Sequence, residues 1–248
     1  METGHDVEYL GETGQMQLRC GKAFPLGMDS MLLAEFATVH AGDRVYDLGC
    51  GSGALLLLLF LRQPQLTAQG IELQPEDAAL AKDNLMRNGL SACASIVEGD
   101  LRSLPQTQPP GQWDLVISNP PYFAPDKGRN SSNARRAAAR TGTFCAPADI
   151  CRTAAHLLRP RGRFSLVLRP ERLEEWILAL HATGLAPKRL RCVHHTPTHP
   201  PSMILLESVR QGKTGLSFLA PLFAADWNKQ HAHRADKLPK VRQREDTK

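Results

Sequence analysis

Residues 45–53 read Val-Tyr-Asp-Leu-Gly-Cys-Gly-Ser-Gly, which places an apolar strand, a glycine turn and the start of a leucine-rich helix in direct succession. Glycines let the backbone turn sharply and approach a ligand closely, and the first turn of the following helix directs unpaired N–H groups towards it. Gly49, Gly51 and Ala54 also satisfy the pattern G-x-G-x-x-G/A, which is a weak signal by itself. The stretch therefore predicts a nucleotide-type cofactor loop and leaves the cofactor open.

Apolar runs alternate with helix-like segments on both sides of this loop. Buried strands are predicted at 44–48, 69–73, 95–97, 115–118, 163–168, 188–195 and 202–210. Helices are predicted at 53–62, 75–88, 147–158 and 170–183. Strands that alternate with helices imply a parallel sheet with crossovers on both faces. We therefore expect an α/β fold with about seven strands.

The two ends of the chain are less regular. Residues 1–40 form a predicted N-terminal segment in which ordered structure begins near residue 15 and a helix over 29–39 has Asp29 as its N-cap candidate. The main domain is predicted to span 41–223. Residues 224–248 are basic and almost free of aliphatic side chains after Trp227, so we expect a poorly ordered tail. The alternative is an arm that contacts RNA.

Composition sets the class of protein and its partners. The 248 residues carry a formal net charge of +5, which favours acidic partners such as nucleic acid without requiring one. The longest apolar stretch, 54–61, is far shorter than the roughly 20 residues that cross a bilayer, and no secretion signal is evident. Six cysteines without a C-x-x-C pair, and three histidines within 194–199 without suitable partners, suggest neither a metal site nor a disulfide framework. We expect a cytoplasmic protein without a metal ion.

Three acidic residues help to decide which cofactor the loop binds. Asp47 lies at a strand end, just before the glycines, where a carboxylate can face the cationic part of a sulfonium cofactor. Glu72 ends the second strand, where an acid typically binds ribose hydroxyls in either cofactor class. Asp100 ends the third strand and can accept a hydrogen bond from an adenine amine, which nicotinamide enzymes do not require. The alternative is that Glu72 and Asp100 only cap the helices that follow them.

Residues 119–122 read Asn-Pro-Pro-Tyr and follow the predicted strand 115–118 at the sheet edge where ligands bind. The prolines exclude both helix and continued strand pairing. A planar nitrogen with a delocalised lone pair is a poor nucleophile, and oxygens of Asn119 and Pro120 can each accept one of its N–H groups and direct the lone pair at a methyl group. Tyr122 can stack on a planar substrate. The alternative is a plain turn with an exposed aromatic side chain.

Basic residues follow this tetrapeptide in a segment with glycine and serine, where they can meet phosphates. Together with Pro121 of the tetrapeptide and Phe123 directly after it, these basic residues are the candidate substrate contacts: Pro121, Phe123, Lys127, Arg129, Arg135, Arg136 and Arg140. A second basic group, Lys188, Arg189 and Arg191, begins a later strand and can instead be a solvated strand edge.

With both motifs placed, the sequence resembles the class I S-adenosylmethionine-dependent methyltransferases of the N-P-P-Y group, in particular the bacterial tRNA1(Val) adenine-N6 methyltransferase family. The resemblance also rests on residues 27–34 and 200–207. It implies a Rossmann-like, seven-stranded, mostly parallel sheet with an antiparallel last hairpin and helices on both faces. It further implies S-adenosylmethionine as methyl donor and methylation of the adenine beside the anticodon, so that the expected partner is RNA, in particular tRNA.

The resemblance also implies roles for individual residues. It places Asn119, Pro120 and Tyr122 at the target base as catalytic residues. The residues that it places at the cofactor are Asp29, Ser30, Asp47, Gly49, Cys50, Gly51, Gly53, Glu72, Leu73, Asp100, Leu101 and Asn119.

Other functions remain open at this point. Protein glutamine-N5 methyltransferases share N-P-P-Y, but usually carry an N-terminal helical domain, for which the roughly forty residues before the first main strand are too few. Ribosomal-RNA guanine-N2 methyltransferases typically have a duplicated domain and often phenylalanine at the Tyr122 position. In a nicotinamide oxidoreductase the N-P-P-Y motif would have no function, and a non-catalytic RNA-binding protein would not need the intact motifs.

Overall fold

A sheet of mostly parallel strands forms the centre of the computed structural model, which describes residues 6–11, 14–20, 26–120 and 145–227. Its seven main strands are β3 (Arg44–Leu48), β4 (Thr67–Glu72), β5 (Ala94–Glu98), β6 (Trp113–Ser118), β7 (Leu158–Leu168), β8 (Leu185–His194) and β9 (Pro201–Arg210). Their order across the sheet is β8-β9-β7-β6-β3-β4-β5. Strands β3 to β7 pair in parallel, whereas β9 is antiparallel to both β7 and β8. The predicted seven-stranded sheet with an antiparallel last hairpin is confirmed.

Two further strands of two residues each extend the sheet beyond the prediction. β10 (Ser217–Phe218) and β11 (Leu222–Phe223) both pair in parallel with β8. The chain then continues into the core, because Trp227 is 7% exposed and its Nε1 donates to Glu35 Oε2 at 3.1 Å. The rest of the predicted tail, 228–248, lies outside the described residues.

An antiparallel hairpin of β1 (Asp6–Leu10) and β2 (Met16–Cys20) precedes the sheet. The expectation that ordered structure begins near residue 15 is therefore wrong. The hairpin is stabilised by contacts that are distant in sequence: Leu18 is fully buried, and the Asn84 and Asn88 side chains pair with the backbone of β2 as a neighbouring strand would.

Helices cover both faces of the sheet, as predicted. They are α1 (Met28–Phe36), α2 (Ala54–Arg62), α3 (Pro75–Arg87), α4 (Leu104–Thr107), α5 (Pro147–Leu157) and α6 (Leu173–Ala182). Successive side chains of a strand point to opposite faces, so Val45 packs in a core with α1, α2 and α3, whereas Tyr46 packs in a second core with α5 and α6. Trp176 is 2% exposed and belongs to the second core.

Helix α1 differs from its prediction at both ends. Gly27, with extended backbone, is the N-cap, and Asp29 lies in the first turn, where a negative charge interacts favourably with the helix dipole. The helix ends at Phe36 rather than near residue 39, because the Thr38 backbone N–H donates to Glu207 Oε2 at 2.8 Å instead of continuing the helix.

Strand β7 is longer than predicted, since it begins at Leu158 rather than at residue 163. In the sequence, Pro160 and Gly162 do not favour a strand at these positions. The structure accommodates them by a shift of the β6–β7 register between Trp113 and Leu115 and by a positive φ of 67° at Arg161. Within the described ranges, no helix has the length and apolar character needed to span a membrane.

Candidate active site

A cleft of about 480 Å³ opens at the carboxyl ends of β3, β4, β5 and β6. Ligands bind at this edge in open parallel sheets, and the volume lies in the usual range for small-molecule sites. The polar side chains that the sequence singles out meet here, because four of them lie at strand ends that are side by side and Ser30 reaches the cleft from α1. They are Ser30, Asp47, Glu72, Asp100 and Asn119.

The glycine loop forms one wall of the cleft. Gly49 and Gly51 have φ of 77° and 52°, and a Cβ on either would meet open space, so the loop leaves room for a ligand at its backbone. The loop is held against β4 by the Gly49 and Cys50 N–H groups, which both donate to the Ile71 carbonyl oxygen at 3.0 Å. The contact is close, since a Cβ on Gly70 would lie 2.8 Å from Cys50 Sγ.

Glu72 joins the loop to the start of α3. Its Oε2 accepts from the Gly51 N–H and its Oε1 from the Gln74 N–H, both at 2.9 Å. Gln74 is the N-cap residue of α3, so the helix-capping alternative holds in part. The same carboxylate and the neighbouring Leu73 line the cleft, where a ribose would be within reach.

Asp47 is a buried carboxylate with no hydrogen-bond partner in the part of the chain that the structure describes. It is 1% exposed, and burial, with the negative charge of Glu72 as the second cause, raises its pKa to about 8. An isolated buried charge is unfavourable unless a counter-charge is supplied. This position therefore fits a ligand with a cationic group, as S-adenosylmethionine has in its sulfonium and ammonium.

Asp100 ends β5 and caps the short 3-10 turn Leu101–Ser103 by accepting from the Arg102 N–H at 2.9 Å. The Arg102 guanidinium also pairs with this carboxylate, and hydrogen bonding from Arg102 lowers the pKa of Asp100. The capping alternative is thus present in the structure. Asp100 and Leu101 nevertheless line the end of the cleft beside Gly99.

Asn119 and Pro120 lie on the wall next to the glycine loop. Two hydrogen bonds fix this end of β6. The Ser118 hydroxyl donates to the Leu48 carbonyl oxygen at 2.8 Å, and Asn119 Nδ2 donates to Ser30 Oγ at 3.1 Å. The strand that carries the tetrapeptide is thereby tied both to the cofactor loop and to helix α1.

Two predicted cofactor residues do not line the cleft. Asp29 lies in the first turn of α1, and Gly53 is the N-cap of α2 with its backbone packed near Ala81. Other predicted contacts lie outside the described residues and stay predictions: Pro121, Tyr122, Phe123, Lys127, Arg129, Arg135, Arg136 and Arg140.

Several residues of the cleft were not found from the sequence. Ser118 directly precedes the tetrapeptide and could have been found from that position. Leu26, Cys145 and Ile150 come from distant segments and carry no local signal. Cys145 is half-buried, and burial raises its pKa to about 11, so that the thiol is neutral near pH 7 and contributes an apolar surface.

Arg189 does not have the solvated-edge role considered for its basic group. It is not a solvated strand edge, because its Nη1 donates to the buried Glu207 Oε1 at 2.8 Å and its guanidinium packs over the Phe36 ring. The pair holds the end of α1 against the sheet.

Comparisons with known proteins agree with this geometry. The family model described as Methyltransferase small domain matches residues 26–180. The tRNA1(Val) (adenine(37)-N6)-methyltransferase of Dickeya chrysanthemi is 32% identical over 204 residues, covering 82% of this chain and 78% of the relative. The enzyme of the same name from Porphyromonas gingivalis is 33% identical over 201 residues, covering 75% of each chain.

Solved structures share the fold. A predicted O-methyltransferase from Agrobacterium tumefaciens superposes with a TM-score of 0.66 at 24% identity, covering 84% of this chain and 97% of its own. A geranyl diphosphate C-methyltransferase from Streptomyces coelicolor, crystallised with S-adenosyl-L-homocysteine, has a TM-score of 0.54 at 14% identity, covering 73% and 79%. The cleft chemistry and the sequence matches lead to one conclusion: the chain is an S-adenosylmethionine-dependent methyltransferase that belongs to the methyltransferase small domain family and, within it, to the tRNA1(Val) (adenine(37)-N6)-methyltransferase family.

Proposed function

We propose that this protein transfers a methyl group from S-adenosylmethionine to N6 of an adenine in RNA, with tRNA as the substrate class. The observation that carries the proposal is the position of Asn119, on the cleft wall beside the glycine loop and hydrogen-bonded to Ser30. The names of the relatives, which specify adenine 37 of a tRNA, support the choice of nucleotide.

Two oxygens of the chain can increase the reactivity of the adenine amine, which is a weak nucleophile. The Asn119 side-chain oxygen and the Pro120 carbonyl oxygen each accept one N–H of the adenine amine, which localises the lone pair on nitrogen and directs it into the cleft. When bound, S-adenosylmethionine supplies a methyl group that is already activated. With the cofactor bound, the methyl group would pass from the sulfonium sulfur to the nitrogen held by the Asn119 and Pro120 oxygens, and the nitrogen would release one proton to solvent. Positioning and electrostatics therefore supply most of the catalysis.

The cofactor takes its orientation from the acids along the cleft. Asp47 faces the cationic end, Glu72 binds the ribose hydroxyls, and Asp100 with Leu101 binds the adenine. The order follows the strand ends β3, β4 and β5, which lie side by side. We infer that the basic residues of 127–140 and the aromatic ring of Tyr122 complete the RNA side of the site, and that the enzyme acts in the cytoplasm.

The substrate is tested by incubating the full chain with methyl-labelled S-adenosylmethionine and one of three acceptors. These are bulk tRNA, an adenine-containing oligonucleotide, and a glutamine-containing release-factor peptide. We expect label in tRNA, recovered as N6-methyladenosine after digestion to nucleosides. Label only in the peptide, or in guanosine, would overturn the proposal.

The role of Asn119 is tested separately. Asn119→Ala is expected to bind S-adenosylmethionine with an affinity within about threefold of the parent while losing transfer by at least about a hundredfold, in the range for removal of one transition-state contact. Asn88→Ala is the matched control, because Asn88 contacts β2 far from the cleft wall. A variant that loses cofactor binding instead would remove Asn119 from the proposed role.

A further inference from the structure

We infer that Asn84 is a positioning residue that couples the β1–β2 hairpin to the glycine loop, so that docking of the hairpin and binding of the cofactor stabilise each other. The inference rests on the proposed placement of S-adenosylmethionine against that loop. It gives a role in cofactor binding to parts of the chain outside the cleft, since none of the described residues of the hairpin or of α3 lines it.

The Asn84 carboxamide makes three hydrogen bonds to two separate segments of the chain. The side chain is fully buried. Its Oδ1 accepts from the Arg19 N–H at 2.9 Å, and its Nδ2 donates to the Arg19 carbonyl oxygen at 3.0 Å and to the Ser52 carbonyl oxygen at 2.9 Å. A backbone N–H can only donate and a carbonyl oxygen can only accept, so these partners fix the orientation of the carboxamide. One side chain therefore joins β2 directly to the loop.

The Ser52 carbonyl oxygen lies at a point of the loop that has little stiffness of its own. Ser52 stands between Gly51 and Gly53, whose φ values of 52° and 79° lie in the left-handed region, and glycines restrict the backbone least. The Gly51 N–H is held from β4 by Glu72, whereas the Ser52 carbonyl oxygen is held from α3 by Asn84. Because Ser52 lines the cleft, the orientation of this peptide shapes the wall that faces the cofactor.

The hairpin in turn holds the Asn84 side chain, because two of its three hydrogen bonds are to Arg19. Leu18 is fully buried in the core that includes residues of α2 and α3, and the Arg19 guanidinium pairs with Asp83 at 3.0 Å. If the hairpin leaves α3, the carboxamide keeps only its bond to Ser52 and orders the loop less well. A loop ordered by the cofactor must then favour the docked hairpin by the same factor, since coupling between two sites is reciprocal.

The first experiment compares Asn84→Ala with Asn88→Ala in the full chain. Asn88 is the matched control, because it makes the same pair of bonds to the Gln17 backbone but donates its third to the Asn84 carbonyl oxygen instead of the loop. Calorimetry without RNA should show an S-adenosylmethionine affinity about tenfold lower in Asn84→Ala, as expected for one hydrogen bond, and within about twofold of the parent in Asn88→Ala. At saturating cofactor, kcat should stay within about threefold in both. Equal losses of affinity in the two variants would overturn the inference.

The second experiment starts from the parent chain and follows hydrogen exchange of the backbone amides of β2, which reports opening of the hairpin. Saturating S-adenosylmethionine should slow this exchange by up to about tenfold in the parent and in Asn88→Ala, but by less than about twofold in Asn84→Ala. Exchange that is unaffected by the cofactor in the parent would overturn the inference. This measurement decides alone if Asn84→Ala does not fold.

Failure of the coupling can be told from failure of the proposed function, because cofactor affinity and hydrogen exchange are measured without RNA. If tRNA is not methylated while affinity and exchange respond as expected, the proposed function is wrong and the coupling stands. If tRNA is methylated while neither responds to Asn84→Ala, only the coupling is wrong. A parent chain that does not bind S-adenosylmethionine would overturn both.

Discussion

The hydroxyl of Ser118 donates to the carbonyl oxygen of Leu48 at 2.8 Å and so joins the last residue of β6 to the last residue of β3. The paired register of these strands runs from Val45 and Leu115 to Asp47 and Ile117. One position further on, at Leu48 and Ser118, the serine hydroxyl makes the hydrogen bond between the two strands. This bond lets the two strands diverge, one into the glycine loop and the other into the Asn-Pro-Pro tripeptide, while their ends stay together.

Removing this hydroxyl is expected to destabilise the fold. Ser118 is fully buried, so Ser118→Ala leaves the Leu48 carbonyl oxygen without this donor at a cost of about 1–3 kcal/mol. Urea denaturation measures the loss. Ser103→Ala is the matched control, because the Ser103 hydroxyl also donates to a backbone carbonyl oxygen, that of Asp100, but is exposed. Equal effects of the two substitutions would contradict the structural role of Ser118.

Cofactor affinity is expected to depend on pH through Asp47. Its pKa is about 8 without ligand, so at pH 6 to 7 the carboxylate is mostly protonated. A cationic ligand favours the ionised form, and binding must then release a proton. Affinity for S-adenosylmethionine should rise by up to about tenfold per pH unit from pH 6 and level off above 8. Calorimetry in buffers of different ionisation enthalpy measures the proton. Asp47→Asn should abolish both effects, and an unchanged pH profile in that variant would assign them to another group.

Stability of the ligand-free protein should show the opposite trend. Because the pKa of Asp47 is raised from 3.8 to about 8 in the folded state, this group favours folding when protonated, and its contribution is lost as pH rises from about 4 through 8. The difference in unfolding free energy between the parent and Asp47→Asn should therefore shift in favour of the variant over this range, as measured by urea denaturation at each pH. A constant difference would show that Asp47 titrates alike in the folded and unfolded chain.

A fourth prediction concerns Glu207, which holds the end of helix α1 against the sheet. Glu207 is 3% exposed and accepts hydrogen bonds from Thr38, Ser165 and Arg189. Glu207→Gln removes the charge opposite the Arg189 guanidinium and places an amide NH2 among donors, so a loss of about 3–5 kcal/mol in unfolding free energy is expected.

The matched control for Glu207→Gln is Glu175→Gln. Glu175 also pairs with an arginine, Arg172, but is 53% exposed, so its loss should cost less than about 1 kcal/mol. Similar losses for the two variants would mean that the buried pair contributes no more than a solvated one.

The framework of this fold could be predicted from periodic sequence patterns. Most strands and helices between residues 44 and 118 were expected within about two residues of their bounds, because apolar periodicity and turn residues mark them, whereas the short helix α4 was not expected. The β1–β2 hairpin could not be found in this way. Its burial depends on α2 and its edge on Asn84 and Asn88, which lie more than sixty residues away in the chain.

The residues of the site also divide into those that the sequence predicts and those that it does not. Asp47, Glu72 and Asn119 were expected at the cleft because each ends a strand, and strand ends converge in a parallel sheet. The Ser30–Asn119 contact spans 89 residues and depends on where α1 crosses the sheet, which no local pattern specifies. The apolar lining from Leu26 and Ile150 likewise follows only from tertiary packing.

The hydrogen bond from Thr38 to Glu207 also has a consequence for folding during synthesis of the chain. Thr38 and Glu207 are 169 residues apart, so helix α1 leaves the ribosome long before the strand that holds it. Chains emerge at about 5–20 residues per second, and β9 forms between two strands that are already made. A nascent chain can therefore expose a complete glycine loop and Asn119 while the end of α1 still lacks its contacts with Glu207. Helix α1 gains these contacts only when β9, the last long strand of the sheet, is inserted.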